Sequence, residues 1–293
     1  MRKNKELNNQ LISIIMPVYN AGDFLVEAIE SILNQAYCNW ELIAINDGST
    51  DNSLEILKKF AKKDKRIRVF SFKKRKGLAS ALNKSLDLAR GFYIARMDAD
   101  DISLPKRLTT QLNYLKKNPE IVAIGSQVRL IDENGNIIGY KKFPIEADRL
   151  YRMMMTMVAI QHPTLVTYAH LIKKCRYANH KTAEDVSMFF KLLHFGKFAN
   201  TRETLFLYRI RESSNSLKDP KKTFFLTFKS RINAILNLGY KPTLKDVFIN
   251  IIQLIIVVIL PANTILYLYK RLRFNPVPAR SSFLKRRFTL LLK

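Results

Sequence analysis

Acidic side chains gather at two points in a chain whose formal net charge is +26. Asp98, Asp100 and Asp101 follow the apolar run FYIARM, and Asp47 follows the apolar run WELIAIN. Carboxylate oxygens suit Mg²⁺ and Mn²⁺, which commonly combine protein carboxylates with substrate phosphates. A cation held there would neutralise the charge that develops on a departing diphosphate. The spacing alone is equally compatible with a polar turn that caps the next helix.

The segments around these residues alternate between strand-like and helix-like patterns. We predict strands over residues 11–18, 40–46, 67–72 and 92–97, and helices over residues 23–35, 52–62, 78–90 and 104–117. This rhythm is typical of a mostly parallel, doubly wound α/β sheet. Ligands of such sheets bind at the carboxyl ends of the strands, where Asp47 and Asp98 would both lie.

The second half of the chain has a more mixed pattern. We predict a hairpin around Asn134-Gly135, and then, in order, a helix, an amphipathic helix and a pair of strands over residues 147–158, 183–195 and 198–210. Gly91 is expected to end the helix over 78–90, and Ser103 to cap the next helix. The polar residues 211–222 are expected to form a linker.

Three segments resemble, in the expected order, the motifs of family 2 glycosyltransferases, which have the GT-A fold. They cover residues 13–53, 76–111 and 183–193, and the resemblance extends over about residues 11–212. It implies a Rossmann-like, mostly parallel GT-A domain. It also implies transfer of a sugar from a nucleoside diphosphate donor, with uridine diphosphate as the expected carrier, in one displacement that inverts the anomeric carbon.

The resemblance assigns roles to residues at the predicted strand ends. The stretch Pro17, Val18 and Tyr19 would frame the base of the nucleotide, and Asp47 would contact that base. The family position of Asp98 lies at the ribose and the phosphates. These positions define the expected donor site.

Two further carboxylates match the metal ligand and the catalytic base of the family. Asp100 corresponds to the position that binds the metal, usually Mn²⁺ or Mg²⁺. Asp185 corresponds to the base that takes the proton of the acceptor hydroxyl as its oxygen attacks the anomeric carbon. Considered without the family, Asp185 is an ordinary carboxylate in the first turn of a helix, where the helix dipole favours it.

Basic residues near these motifs are candidates for binding the diphosphate. Lys76 ends the run Lys73–Lys76 before Gly77, and the alternative is a solvated charge run. Where the family often reads Tyr-Arg-x-His, this chain ends the motif with Arg211. The usual phosphate contact of that histidine is therefore expected from Arg209 or Arg211. His162 resembles an acceptor-side residue of the family, although a lone histidine is more often a packed one.

Residues 247–269 form the most hydrophobic stretch of the chain. As one helix they would reach about 34 Å, against about 30 Å for the hydrocarbon core of a bilayer. Three polar residues and a proline interrupt the stretch: Asn250, Gln253, Asn263 and Pro261. The tail from Lys270 onward has eight basic residues and no acidic one, which keeps it cytoplasmic. We therefore predict in-plane, monotopic attachment, with a span or a buried helix as alternatives.

Together these patterns predict an enzyme of bacterial surface polysaccharide assembly at the cytoplasmic face of the cell membrane. Its expected partners are a nucleotide-sugar donor, a lipid-linked saccharide acceptor and an anionic membrane surface. Nucleic acid is not expected, because the basic residues are spread along the chain and no recognition motif occurs. The alternatives are a nucleotidyltransferase, or a non-catalytic protein that binds sugar nucleotides or polyanions.

Composition excludes several other classes. Two cysteines are too few for a disulfide framework, and the four histidines show no zinc-ligand spacing with them. The N-terminal MRKNKELNNQ has no apolar region after its charges, so it is not a secretory signal. We predict a GT-A domain over residues 1–212, a linker and helical extension over 213–246, and a membrane-associating segment with a basic tail over 247–293.

Overall fold

The computed structural model describes residues 10–179, 183–211, 219–273 and 275–276. Across these residues ten strands form one mixed sheet. The strands are β1 (Ile12–Val18), β2 (Trp40–Asn46), β3 (Ile67–Ser71), β4 (Tyr93–Arg96), β5 (Ile102–Ser103), β6 (Ile121–Ile131), β7 (Ile137–Lys141), β8 (Val166–Tyr168), β9 (Lys197–Arg209) and β10 (Asn275–Pro276). The helices are α1 (Gly22–Leu33), α2 (Ser53–Lys63), α3 (Leu78–Leu88), α4 (Arg107–Lys117), α5 (Ala147–Met153), α6 (Ala169–Cys175), α7 (Glu184–Leu193), α8 (Pro220–Asn237), α9 (Leu244–Ile259) and α10 (Ala262–Arg273).

Four parallel strands form one half of the sheet, in the order β3-β2-β1-β4. Because they run in one direction, their carboxyl ends share one edge, as the alternating pattern predicts. Beyond β4 the sheet is mixed. Strand β8 lies antiparallel between β4 and β6, β7 is antiparallel to β6, and β9 is parallel to β6.

Side chains of the parallel strands alternate between two cores, one on each face of the sheet. Ile15 and Ile43 pack with residues of α3, α6 and α7. Ile14 and Met16 pack with residues of α1 and α4 on the opposite face. This half of the molecule therefore has the doubly wound arrangement that was predicted from the sequence.

Two predicted helix boundaries are wrong. Helix α3 ends at Leu88 and is not capped by Gly91, which lies against β1. A Cβ atom on Gly91 would be 2.5 Å from the backbone nitrogen of Ser13, so the close approach of two backbones requires glycine there. Ser103 does not cap α4, because it belongs to β5 and pairs with Phe206 of β9.

One long strand replaces the predicted pair of strands over residues 198–210. Strand β9 follows β6 with a shift in register, since Asn200 faces Gly125 and Thr204 faces Gln127. The exposed residues between these pairs look like a turn in the sequence. The pairing of β9 with β6 nevertheless continues after them. The predicted helix over 147–158 is also shorter, because α5 ends at Met153.

Helices α8 and α9 pack against the sheet domain on the side of α7. Ala234 of α8 and Tyr240 belong to the core that contains Phe189 of α7. Tyr240 also stacks on Tyr151 with 4.3 Å between the ring centroids. The predicted helical extension within 213–246 is thus packed rather than free, whereas the predicted boundary at residue 212 lies outside the described residues.

Helix α9 turns most of its apolar side chains away from the protein, although Val257 is buried. Asp246 and Asn250 are buried, whereas Phe248, Ile255 and Ile259 are exposed, Phe248 to 63% and Ile259 to 70%. An amphipathic helix of a globular domain normally buries its apolar face. The arrangement in α9 is the reverse.

Polar side chains attach α9 to the domain. The Asn250 side-chain amide donates to the Met155 carbonyl at 2.7 Å, and that of Gln253 donates to the Thr156 carbonyl at 3.3 Å. The Arg231 guanidinium of α8 donates to the side-chain oxygens of both Asn250 and Gln253. Two of the residues that interrupt the hydrophobic stretch therefore face inward and hold the helix in place.

Leu260 and Pro261 separate α9 from α10, which confirms the expected interruption at the proline. None of the helices in the described part of the chain has both the length and the hydropathy that a membrane span requires. Of the predicted basic tail from Lys270 onward, residue 274 and residues 277–293 lie outside the described residues.

Candidate active site

The carboxyl ends of β1, β2 and β4 bring the predicted donor-site residues to one edge of the sheet. Tyr19 follows β1, Asp47 follows β2, and Asp98 comes shortly after β4. Pro17 and Val18 belong to β1 and are buried, whereas Tyr19 is 37% exposed. Of these three residues, which were predicted to frame the nucleotide base, Tyr19 is thus the one whose side chain is accessible.

Three carboxylates form a cluster just beyond β4. One oxygen from each of Asp98, Asp100 and Asp101 lies within 4.8 Å of the others. Asp101 is buried; its Oδ1 accepts the Arg209 backbone N–H at 2.8 Å, and its Oδ2 has no hydrogen-bond partner. Burial and the neighbouring Asp100 and Asp98 charges raise the pKa of Asp101 well above its usual range. Hard oxygen donors with one unsatisfied buried atom fit a divalent cation.

Arg96 lies beneath the cluster and was missed in the sequence. It is buried at the end of β4 and forms an ion pair with Asp98. Burial still raises the pKa of Asp98, with Arg96 opposing the shift. The available signal was a charged residue inside the apolar run FYIARM, because a buried arginine needs a partner.

Arg209 is held inside the protein by several acceptors. Its guanidinium donates to the backbone carbonyls of Asp100, Asp132 and Glu133 and to the Glu27 carboxylate, and its side chain is 1% exposed. All three nitrogens of the guanidinium are thus engaged. This placement speaks against the predicted phosphate contact by Arg209.

Arg211 lies on the solvent-facing side of the carboxylate cluster. Its Nη1 is 3.1 Å from Oδ2 of Asp100, and both side chains are partly exposed. Of the two arginines proposed to replace the family histidine, Arg211 is therefore the one that faces the carboxylates and solvent.

Asp47 organises the basic loop that precedes α3. Its two carboxylate oxygens accept the backbone N–H groups of Lys76 and Gly77 at 2.6 and 2.9 Å. Gly48 has φ +68°, and a Cβ atom there would lie 2.7 Å from the backbone nitrogen of Arg75. The loop therefore packs directly on the end of β2, which fixes its backbone beside the expected base site.

The side chains of this loop cover aromatic rings. The Arg75 guanidinium, which belongs to the predicted basic run Lys73–Lys76, lies 3.9 Å from the centre of the Tyr19 ring. The Lys76 ammonium lies 4.7 Å from the centre of the Phe72 ring. Cations in such positions are attracted by the ring faces.

Helix α7 places Asp185 in its first turn, near the acidic cluster. The charge of Asp185 contributes to raised pKa values at Asp98 and at Glu184. Burial, followed by the Asp185 charge, raises the pKa of Glu184 to about 7. The structure thus brings the predicted base close to Asp98, although the two residues are far apart in sequence.

His162 is buried on the α7 side of the site. Its Nε2 is 3.1 Å from the Tyr177 hydroxyl, and its ring packs edge-on against Phe189 of α7. Burial, with the Arg96 charge, lowers the pKa of His162 well below its usual value. His162 therefore fits the alternative of a histidine packed in the protein interior better than that of a residue in contact with an acceptor.

Solved structures share this architecture. Staphylococcus aureus TarS, in complex with UDP-GlcNAc, superposes with a TM-score of 0.64 over 78% of this chain and 68% of that chain, at 20% identity. The mannosyltransferase PcManGT from Pyrobaculum calidifontis, in complex with GDP-Man and Mn²⁺, gives a TM-score of 0.58 over 89% of this chain and 79% of that chain, at 15% identity. The fold is therefore GT-A-like, with a mixed sheet.

The sequence comparisons define the family. Residues 13–186 match the model of Glycosyl transferase family 2. An uncharacterized glycosyltransferase of Haemophilus influenzae is 37% identical over 71% of this chain and 68% of its own length. The O-antigen biosynthesis glycosyltransferase WbnJ of Escherichia coli is 33% identical over 70% of this chain and 81% of its own. The chain belongs to glycosyltransferase family 2.

Proposed function

We propose that this glycosyltransferase is metal-dependent and inverting, and that it moves a hexosyl or N-acetylhexosaminyl group from a nucleotide sugar to a lipid-linked glycan. The observation that carries the proposal is the cluster of Asp98, Asp100 and Asp101 at the carboxyl edge of the sheet, with Asp185 beside it. Family membership favours glycosyl transfer, and no comparison favours a nucleotidyltransferase.

The donor is assigned to the edge formed by β1, β2 and the loop before α3. Tyr19 and Arg75 present a stacked surface for the base, and Asp47 fixes the loop beside it. A uridine diphosphate sugar is the first candidate, supported by the UDP-GlcNAc complex of the structurally similar TarS. The GDP-Man complex of PcManGT makes a guanosine diphosphate sugar the second candidate.

Asp100, together with Asp98 and Asp101, would hold Mn²⁺ or Mg²⁺. Such a cation stabilises the charge of a leaving diphosphate. The Mn²⁺ in the structure of PcManGT supports this choice of ion. Lys76 and Arg211 would contact the diphosphate, whereas Arg209 serves the fold.

Asp185 would accept the proton of the attacking hydroxyl. It lies in the first turn of α7, and helix N-termini favour negative charge. An ionised carboxylate is the form that a general base requires.

The acceptor and the site of action are inferred from the C-terminal helices. The outward apolar face of α9 and the basic composition from Lys270 onward suit the surface of an anionic membrane. A lipid-linked saccharide at the cytoplasmic face of a bacterial membrane would be presented at that surface. The name of WbnJ, an O-antigen biosynthesis enzyme, supports a role in surface polysaccharide assembly.

Calorimetric titration of the full chain with uridine diphosphate, with and without Mn²⁺, tests the donor and metal assignments. We expect binding that requires Mn²⁺, and a large loss of that binding in Asp100→Asn. Equal binding by Asp100→Asn would remove Asp100 as a ligand. Absence of binding to uridine, guanosine and thymidine diphosphates would contradict the proposed donor class.

A further inference from the structure

We propose that Arg211 is an exchangeable counter-ion of the acidic cluster. In the metal-free protein it pairs with Asp100; when a divalent cation takes Asp100, Arg211 moves to the diphosphate of the donor. The inference rests on the proposed function, because the diphosphate is that of the nucleotide sugar.

The contact between Arg211 and Asp100 is accessible and is made through a single nitrogen. Its length is 3.1 Å, and the two side chains are 22% and 27% exposed. Water can therefore replace either partner, and the desolvation penalty that makes buried ion pairs costly to break is small here.

The other arginines at the cluster lack this freedom. Arg96 is 3% exposed, and breaking its ion pair with Asp98 would leave a buried guanidinium without that partner. Arg209 is 1% exposed, and moving it would release three backbone carbonyls and Glu27. Of these three arginines, Arg211 is the one that can leave its carboxylate without leaving a buried charge unpaired.

The backbone at Arg211 is also outside the sheet. Strand β9 ends at Arg209, and the Ile210 N–H still donates to the Ile131 carbonyl at 2.9 Å. The Arg211 guanidinium already lies 5.0 Å from the centre of the Phe24 ring, on α1. Because the backbone of Arg211 is not part of β9, a change of its side-chain rotamer leaves the hydrogen bonds between β6 and β9 intact.

Electrostatics sets the direction of the exchange. A divalent cation on Asp100 and a guanidinium at contact distance from the same oxygens repel each other strongly. The planar guanidinium matches the oxygens of a phosphate, to which it can donate two parallel hydrogen bonds. Arg211 thus neutralises Asp100 before the cation is bound and adds a donor to the leaving group afterwards.

The test compares the wild type with Arg211→Ala, Arg211→Lys and a control, Arg90→Ala. The Arg90 side chain is 65% exposed and pairs with the buried Glu41, which keeps Arg68 as a partner, at the opposite edge of the sheet, so the control removes the same charge far from the cluster. Mn²⁺ binding is measured first, without nucleotide, by calorimetry or electron paramagnetic resonance. Binding of uridine diphosphate is then measured at saturating Mn²⁺.

We expect Arg211→Ala to bind Mn²⁺ about fivefold or more tightly than the wild type, because a competing cation is removed. The same variant should bind uridine diphosphate about tenfold more weakly, with a smaller loss in Arg211→Lys. Arg90→Ala should match the wild type in both measurements.

Two results would overturn the inference. Unchanged Mn²⁺ affinity in Arg211→Ala would show that the ion pair does not compete with the metal, and unchanged nucleotide affinity would remove the contact with the diphosphate. If none of the proteins binds the nucleotide, the proposed function and the diphosphate step both fail. The Mn²⁺ titration alone would then decide whether Arg211 competes for Asp100.

Discussion

The carboxylates of the site differ in how fully their oxygens are engaged. Asp47 is held by two backbone N–H groups, and Asp98 by buried Arg96. Asp100 pairs with the partly exposed Arg211, and Asp101 keeps one buried oxygen without a partner. The oxygens most available to a cation therefore belong to Asp100 and Asp101.

Asp185→Asn should separate donor binding from catalysis. The amide keeps the size of the side chain but cannot accept the hydroxyl proton, so transfer should fall by roughly 10²–10⁴-fold. Binding of the donor with Mn²⁺ should be unchanged in calorimetry. Turnover at the wild-type rate, measured as sugar incorporated into lipid-linked glycans, would remove Asp185 from the role of base.

Glu184→Gln should stabilise the metal-free protein at alkaline pH. The folded-state pKa of Glu184 is raised from 4.5 to about 7, so the folded state binds more protons than the unfolded state between these values. Stability from this group is thus present in acid and is lost as the pH rises through about 7. A gain on the order of 3 kcal/mol or less is expected near pH 9, and almost none below the unfolded-state pKa of 4.5.

Thermal unfolding at several pH values measures this difference. Glu30→Gln, at an exposed position on α1, is the matched control and should have no such pH-dependent effect. A gain for Glu184→Gln that is the same at every pH would contradict the assigned pKa.

For individual residues, the sequence predicted the acidic positions but not most of the side chains that pair with them. Asp47 and Asp98 were found because each comes after an apolar strand. Arg211 meets Asp100 only through the path of β9, and such a contact across the sheet has no local signature. The same reason explains why Arg209 and Arg211 could not be distinguished before the fold was known.

Among the secondary-structure elements, the strands of the parallel half were predicted best. Continuous apolar runs mark β1, β2 and β4, because both of their faces are buried. The short strand β5 and the continuous β9 were not predicted, because their pairing is made between distant segments. Helix α9 was recognised as apolar, but its inward polar stripe was read as an interruption.

Gly91→Ala should destabilise the protein strongly. The new methyl group would lie 2.5 Å from the Ser13 nitrogen and 2.8 Å from the Leu11 oxygen, so β1 and the start of β4 would have to separate. We expect a loss of about 2–4 kcal/mol in urea denaturation. Gly239→Ala, which meets open space at φ +70°, should lose only about 1 kcal/mol. Equal losses in the two variants would contradict the steric explanation.

Across the whole molecule, the net positive charge per residue and the exposed apolar surface are greatest in the C-terminal part, where acidic residues are scarce. From residue 219 onward the chain has fourteen Lys or Arg and two Asp or Glu. Leu236, Phe248 and Ile259 are large apolar side chains in the same part and are more than half exposed. Exposed apolar patches of this kind mark interaction surfaces, and the basic composition favours an anionic lipid partner.

Ile255→Glu should weaken binding of the full chain to phosphatidylglycerol vesicles by about tenfold, because it places a charge in the outward face of α9. Ile138→Glu is the control, since it changes an isoleucine of β7 that is 41% exposed. Co-sedimentation should also fall as salt is raised, and it should be weaker with phosphatidylcholine vesicles. Equal binding by both variants, or none by the wild type, would contradict membrane attachment through α9.

The hydrogen bonds on the inner side of α9 fix the orientation of this helix relative to the sheet domain. Asn250 and Gln253 join the helix to the backbone carbonyls of Met155 and Thr156, and Arg231 ties the two side chains together. The helix therefore cannot roll about its axis without breaking these bonds. On a membrane, a helix held in this way would set the tilt and height of the sheet domain above the lipid, so that the enzyme would reach only sugars at one distance from their lipid anchor.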